Sequence, residues 1–154
     1  MKVGIKKLQE NEWLVHIGCG AIKMDQLSVA LLKITLEHLL ALDQGAEHST
    51  LKSYIKLGLR MKELKPLDMQ KLLRTLESTD ILIMMLLAND RVLNDLILAN
   101  IGGILAKQVE ADLASVTMPT HEVAKEAIRR IVEKTFELEA SGQIEFASEN
   151  VRYI

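Results

Sequence analysis

The sequence predicts a mainly α-helical protein with a small β-hairpin at its N-terminus. Three observations predict it. Apolar residues recur at helical spacing from Leu27 to Leu138, capping residues punctuate that stretch at short intervals, and alternation of apolar and polar residues is confined to the two ends of the chain. The 49% of hydrophobic residues supply one substantial core, and 154 residues is the length of one compact unit.

Taken in order, Val3, Ile5 and Leu8 lie among lysines, Gln9-Glu10-Asn11-Glu12 makes a polar turn, and Trp13, Val15 and Ile17 alternate with Leu14, His16 and Gly18. That is the pattern of an antiparallel hairpin. Gly18-Cys19-Gly20 breaks the run, Ala21 to Met24 adds a short third strand, and Asp25 caps a helix reaching about Asp43. Within it Leu27, Ala30, Leu31, Ile34, Leu39 and Leu42 form a stripe that Val29, Leu32, Leu36 and Leu40 broaden, so burial over much of its circumference is expected. Gly45 ends it, and Ser49 or Thr50 caps a second helix through about Lys62.

The remainder reads as short capped helices. Pro66 interrupts the pattern, and Asp68 offers its carboxylate to the free amides of a helix running to about Glu77. Ser78 or Thr79 caps the next, which ends near Ala88, Asp90 starts another, and Gly102-Gly103 marks the joint before a helix reaching about Ser115. Thr120 caps the longest, whose Val123, Ala127, Ile131 and Leu138 form an apolar stripe, with Glu126 and Arg130, or Arg129 and Glu133, pairing on the wet face. Gly142 stops that helix. Residues 143–154 then read as a terminal strand or hairpin, which suggests that the two chain ends pair in one small sheet. The organisation expected is an N-terminal hairpin-plus-helices part over residues 1–60 and a helical domain over 61–154.

Composition removes several functions. The 19 basic and 21 acidic residues leave a net charge of -2, which provides no overall field for a polyanion, and 3% aromatic content leaves little for base stacking. No nucleic-acid partner is expected. The apolar run Ile81 to Ala88 is far short of the ~20 residues of a membrane-spanning helix, and Met1 to Lys7 leads into no signal-peptide core. One cysteine cannot close an intramolecular disulfide. The expectation is a cytoplasmic protein with no membrane insertion.

Chemistry is sparse. His16 and Cys19 are a conceivable base and nucleophile, but as i and i+3 on a continuing strand they point to opposite faces and lack a third partner. His38 and His48 flank Asp43 without metal-ligand spacing, and His121 sits at a helix start facing solvent. The glycines form no phosphate-binding loop and no nucleophile elbow. Met84-Met85 reads as core filler. No enzyme activity, metal or cofactor is expected.

From Leu67 onward a family likeness emerges. Leu67-Asp68-Met69-Gln70-Lys71-Leu72-Leu73-Arg74, Leu82 to Ala88, the helix start at Asn100, Ala111-Asp112-Leu113, Met118-Pro119, Val123 to Leu138, and Ala140-Ser141-Gly142-Gln143-Ile144 follow one another in a shared order and spacing. In these segments, over roughly residues 60–154, the chain resembles the C-terminal domain of the flagellar motor switch protein FliG. The first sixty residues do not look like that family's N-terminal or middle repeats. The resemblance implies a compact multi-helix domain, a non-enzymatic role in protein–protein interaction, and flagellar rotor or stator components, or a second copy of the chain as a homodimer, as partners.

It also implies where a partner binds. FliG-like domains carry a charged ridge that faces the stator, yet here the ridge lysine falls on Leu86 or Leu87, an arginine on Ile104, an acidic residue on Ala111 and a later arginine on Thr120. Asp112 alone keeps a matching charge, with Lys107 and Glu110 on the same helix. The candidate partner-binding residues are therefore Leu86, Leu87, Ile104, Lys107, Glu110 and Asp112. Replacing charge by Leu and Ile favours lasting apolar docking over transient ion pairing, so a torque role is not implied. Two rival readings are a helical scaffold protein unconnected with motility, and a small-molecule-binding or enzymatic domain using His16 or Cys19.

Overall fold

In the computed structural model the described residues are 1–42 and 49–146. The chain divides into two compact units, Met1–Ser49 and Thr50–Ile154, where length alone suggests one. The expected helix stop at Gly45, the Asp43 and His48 set aside as metal ligands, and residues 147–154 of the expected terminal strand or hairpin lie outside the described residues.

The first unit is an antiparallel meander followed by a helix. Strands β1 (Val3–Gln9), β2 (Glu12–Ile17) and β3 (Gly20–Asp25) pair in the order β1-β2-β3. Their turns are made where Asn11 and Gly18, both at φ 62°, supply the left-handed conformation that tight reversals need. Registers Val3↔Ile17, Ile5↔Val15, Val15↔Ile22 and Trp13↔Met24 place these apolar side chains on one face, and Lys6, His16 and Lys23 on the other. Helix α1 (Gln26–Leu42) starts where the Asp25 carboxylate accepts the Ser28 amide at 2.8 Å, as its sequence predicts. The predicted burial fails: among residues 26–39, Ile34 alone is buried, and Val29, Leu36 and Leu39 are exposed.

The described elements of the second unit are helices: α2 (Thr50–Gly58), a 3-10 turn (Leu59–Glu63), α3 (Pro66–Thr75), α4 (Ser78–Ala88), α5 (Arg91–Asn100), α6 (Gly103–Ser115) and α7 (His121–Ala140). Helix α7 packs against α2, α3 and α4. Its Ala127, Ile128 and Ile131 share a core with Met69, Leu72, Ile81, Met84, Met85, Leu93 and Ile97. The α2–α4 approach is close, since a Cβ on Gly58 would sit 2.7 Å from Met84 Cε.

Four local expectations are corrected. Asp68 does not cap α3, because Pro66, with φ preset and no N–H to satisfy, opens the helix two residues earlier. Neither Ser78 nor Thr79 caps α4; Glu77 holds that position without a side-chain bond. Val123 is exposed and Ala124 is buried instead, since a stripe read every fourth residue turns about 40° around a helix per step. Arg130 pairs with Asp80 and not with Glu126, while Arg129 makes the expected 2.7 Å bond to Glu133.

The chain after α7 turns back. Gly142 at φ 73° allows Gln143 N–H to reach Leu138 O at 2.9 Å and Gly142 N–H to reach Glu139 O at 3.0 Å, a double-bonded helix stop. The segment then lies on the unit's beginning. Phe146 bridges Leu64, the Asp68 carboxylate accepts the Glu145 amide at 3.1 Å, Lys71 Nζ donates to Gln143 O at 3.0 Å, and the Arg60 guanidinium stacks 4.2 Å from the Phe146 ring. The Glu145 amide first, and the Lys71 ammonium second, hold the Asp68 carboxyl below its ordinary pKa.

Candidate partner-binding face

Helix α6 begins at a joint the sequence forces open. Gly102 sits at φ 97°, a backbone conformation that L side chains avoid, so the chain changes direction sharply after Ile101. Thirteen residues follow, of which only Val109 is buried. Leu105 and Val109 face Leu82 of α4. Because α6 leans on its neighbour along one narrow stripe, the rest of its circumference meets solvent.

The six candidate residues separate on this geometry. Ile104 is 89% exposed, more than any other large apolar side chain among the described residues of the second unit. Ile104, Lys107 and Ala111 stand at i, i+3 and i+7, which lines them along the outward side, and exposed Glu110 flanks them. Lys107, Glu110 and Asp112 form no ion pair among the described residues. Asp112 lies on the α4 side, where it lines a small cleft with Ser78 and Thr79. Leu86 and Leu87 are half-buried in α4. The structure thus assembles Ile104 with the α6 charges and leaves the two leucines mostly to packing.

A neighbouring feature is absent from the sequence reading. Beside Gly102 and Leu105 opens a cleft of about 330 Å³, lined by Gln70 and Arg74 of α3 and Asn100 of α5. Gln70 Nε2 donates to Asn100 Oδ1 at 3.3 Å, and Asn100 Nδ2 donates to Leu96 O at 2.8 Å, which fixes both amides. Arg74 has no hydrogen-bond or ion-pair partner among the described residues. These groups can donate hydrogen bonds and attract a carboxylate. None can serve as a nucleophile. The Asn100 to Gly103 run and the arginine ending Leu72-Leu73-Arg74 are the sequence signals that mark this place, but only the fold brings them together.

The buried ion pair of this unit is structural. Asp80, 5% exposed at its side chain, receives Arg130 Nε at 2.8 Å and Nη2 at 2.7 Å, a two-pronged contact that ties α4 to α7 and raises the guanidinium pKa. His16 and Cys19 are both exposed at the sheet end. His121 is exposed, 3.7 Å from Glu122. Among the described residues no group of three His, Cys, Asp or Glu side chains is placed to hold a metal ion, and no helix is long and apolar enough to cross a membrane.

Comparison with known proteins bears on the second unit. The family model of the FliG C-terminal domain matches residues 59–146, more than half of the chain. No curated protein and no solved structure gives a significant match.

Proposed function

The chain belongs to the FliG C-terminal domain family, and on that premise we propose that its second unit is a non-enzymatic module that grips another polypeptide at the start of α6. The carrying observation is the exposure of Ile104 beside Lys107 and Glu110, which are unpaired among the described residues, and next to the Arg74 cleft. An apolar side chain at the centre of a contact, rimmed by charges, is the arrangement of an interface hot spot. Flagellar rotor and stator proteins are the partners to test, on the cytoplasmic side of the motor.

The partner inserts Ile104 into an apolar pocket of its own and offers a carboxylate to Arg74. Burial of Ile104 supplies about 1.5 to 3 kcal/mol. The α6 charges add less, since exposed pairs contribute about 0.2 to 1 kcal/mol each. This ordering favours a lasting contact over the make-and-break ion pairing of a torque ridge.

Binding of the purified chain to purified rotor proteins, and to the cytoplasmic parts of stator proteins, from the same cell tests the proposal. Ile104→Asp is expected to weaken the complex at least about tenfold, and Arg74→Glu to weaken it less. A complex indifferent to both changes would place the contact elsewhere. If none of these proteins binds and the chain functions normally in cells without flagella, the scaffold reading gains the field. A Lys107, Glu110 and Asp112 triple alanine variant with unchanged binding and motility would remove the α6 charges from the mechanism.

A further inference from the structure

The groove that receives the chain after α7 is built like a peptide-recognition site, and the chain fills it with its own residues. Ile144 is 3% and Phe146 8% exposed, while Gln143 and Glu145 face solvent. Burial that alternates in this way belongs to an extended segment laid on a surface with one side inward. The surface reads the main chain as well: Lys71 Nζ donates to Gln143 O at 3.0 Å, the Asp68 carboxylate accepts the Glu145 amide at 3.1 Å, and Phe146 pairs with Leu64 in an antiparallel bridge. Contacts to backbone give affinity whatever the sequence, and places for alternate side chains give specificity, which is how strand-addition sites divide the two tasks.

The aromatic position is the more closely defined. The Arg60 guanidinium lies 4.2 Å from the Phe146 ring and 5.6 Å from the Phe136 ring, with Glu139 Oε1 3.6 Å from Arg60 Nη2. A cation held there attracts the face of an aromatic ring and offers an aliphatic side chain no such gain. The resident segment is also replaceable. It reaches the groove through Gly142 at φ 73°, and its two bonds to groove side chains each involve an exposed residue, Lys71 or Glu145, where water competes. Glu139 Oε2, on the carboxylate that faces Arg60, is buried with no hydrogen-bond partner among the described residues, so the chain's own fit leaves an acceptor unmet. Short segments held by few buried contacts open at low free energy.

We propose that the groove of Arg60, Leu64, Asp68 and Lys71 binds an extended segment of a partner protein that places a branched aliphatic and an aromatic side chain two positions apart, and that residues 143–146 occupy it until such a segment displaces them. The occupant's chemistry is read from the resident. Its aliphatic residue takes the place of Ile144 and its aromatic residue the place of Phe146, while its main chain accepts from Lys71 and donates to Asp68. Proline is excluded at the position between the two anchors, because Asp68 takes the N–H there. A second copy of the chain is the poorer occupant, since its segment is tethered beside its own groove at a high effective concentration. The contact uses none of the α6 residues.

Fluorescence anisotropy of a labelled peptide with the sequence of residues 141–146, titrated with the full chain, tests this. Saturable binding is expected, at least about tenfold tighter to the Phe146→Asp chain, whose own segment no longer competes. In that background Arg60→Glu should weaken binding at least about tenfold, and Ile104→Asp should leave it unaltered. A peptide with aspartate in place of its phenylalanine should not bind. Hydrogen exchange of the unmutated chain gives a measurement independent of any variant's folding: excess peptide should speed exchange of the Glu145 amide and leave the Ile131 amide protected. A Glu145 amide unchanged by excess peptide overturns the proposal, as does a folded Phe146→Asp chain that binds no peptide. So does binding indifferent to Arg60→Glu, or equal binding of the aspartate peptide.

Discussion

Helices α6 and α7 are neighbours in sequence and opposites in construction. Helix α7 buries eight of its 20 residues, from Ala124 to Leu138, whereas α6 buries Val109 alone of 13. Both carry charge and both are long enough to pack well. What separates them is where their large apolar side chains fall: α7 concentrates them on one face, and α6 places Ile104 on the outside. The comparison teaches that two adjacent helices of one unit can be a core helix and a presented helix according to where their large apolar side chains fall, the presented one held by a single buried residue, Val109.

The contrast can be broken at its strong end first. Ile131→Ala removes a fully buried side chain from α7, and urea unfolding should register a loss of about 2 to 5 kcal/mol. If the loss were below about 1 kcal/mol, α7 would not be the centre of the core. Arg130→Ala leaves the buried Asp80 carboxylate unpaired, but Arg130 is itself half-exposed, so the expected loss is about 1 to 3 kcal/mol. Asp80→Ala in combination with Arg130→Ala should recover part of it, which a double-mutant cycle measures.

Acid sharpens the comparison at the α3 edge. The Asp68 carboxyl has a folded pKa below its unfolded value, so its contribution is fully present above about pH 4 and is lost as pH falls through the folded pKa. Asp90 and Glu122, held down by Lys62 and Lys125 respectively, act in the same direction. Stability should therefore drop below about pH 4, and Asp68→Asn should flatten that drop while freeing the Glu145 amide to hydrogen exchange. Smallest of all is the weak end: Ile104→Asp should alter stability by less than about 0.5 kcal/mol, as at an ordinary surface position. A large loss there would mean that α6 is core after all.

Much of this fold is legible in the residues. The Asn11 and Gly18 turns, the Asp25 and Asp90 caps, the Gly102 joint and the Gly142 stop are local chemistry, and local chemistry is written in sequence. The failures share a cause. Asp68 looks like a cap residue, yet its carboxylate is taken by an amide 77 positions away, and Arg130 looks like a partner for nearby Glu126, yet it pairs with Asp80 50 positions away; no nearby residue announces a distant partner. The stripe on α1 shows the converse limit, because spacing reveals that a face is apolar without revealing whether the chain itself covers it. Of the site, Ile104 and the α6 charges could be named from the family pattern. The Arg74 cleft could not, since it joins three helices.

The bridge between Leu64 and Phe146, the Arg60 stack and the α2–α7 packing have a mechanical meaning. They close the helical unit at its base, where α2, the 3-10 turn and the segment after α7 touch, so unravelling from either end must break these contacts before α3 to α6 are released.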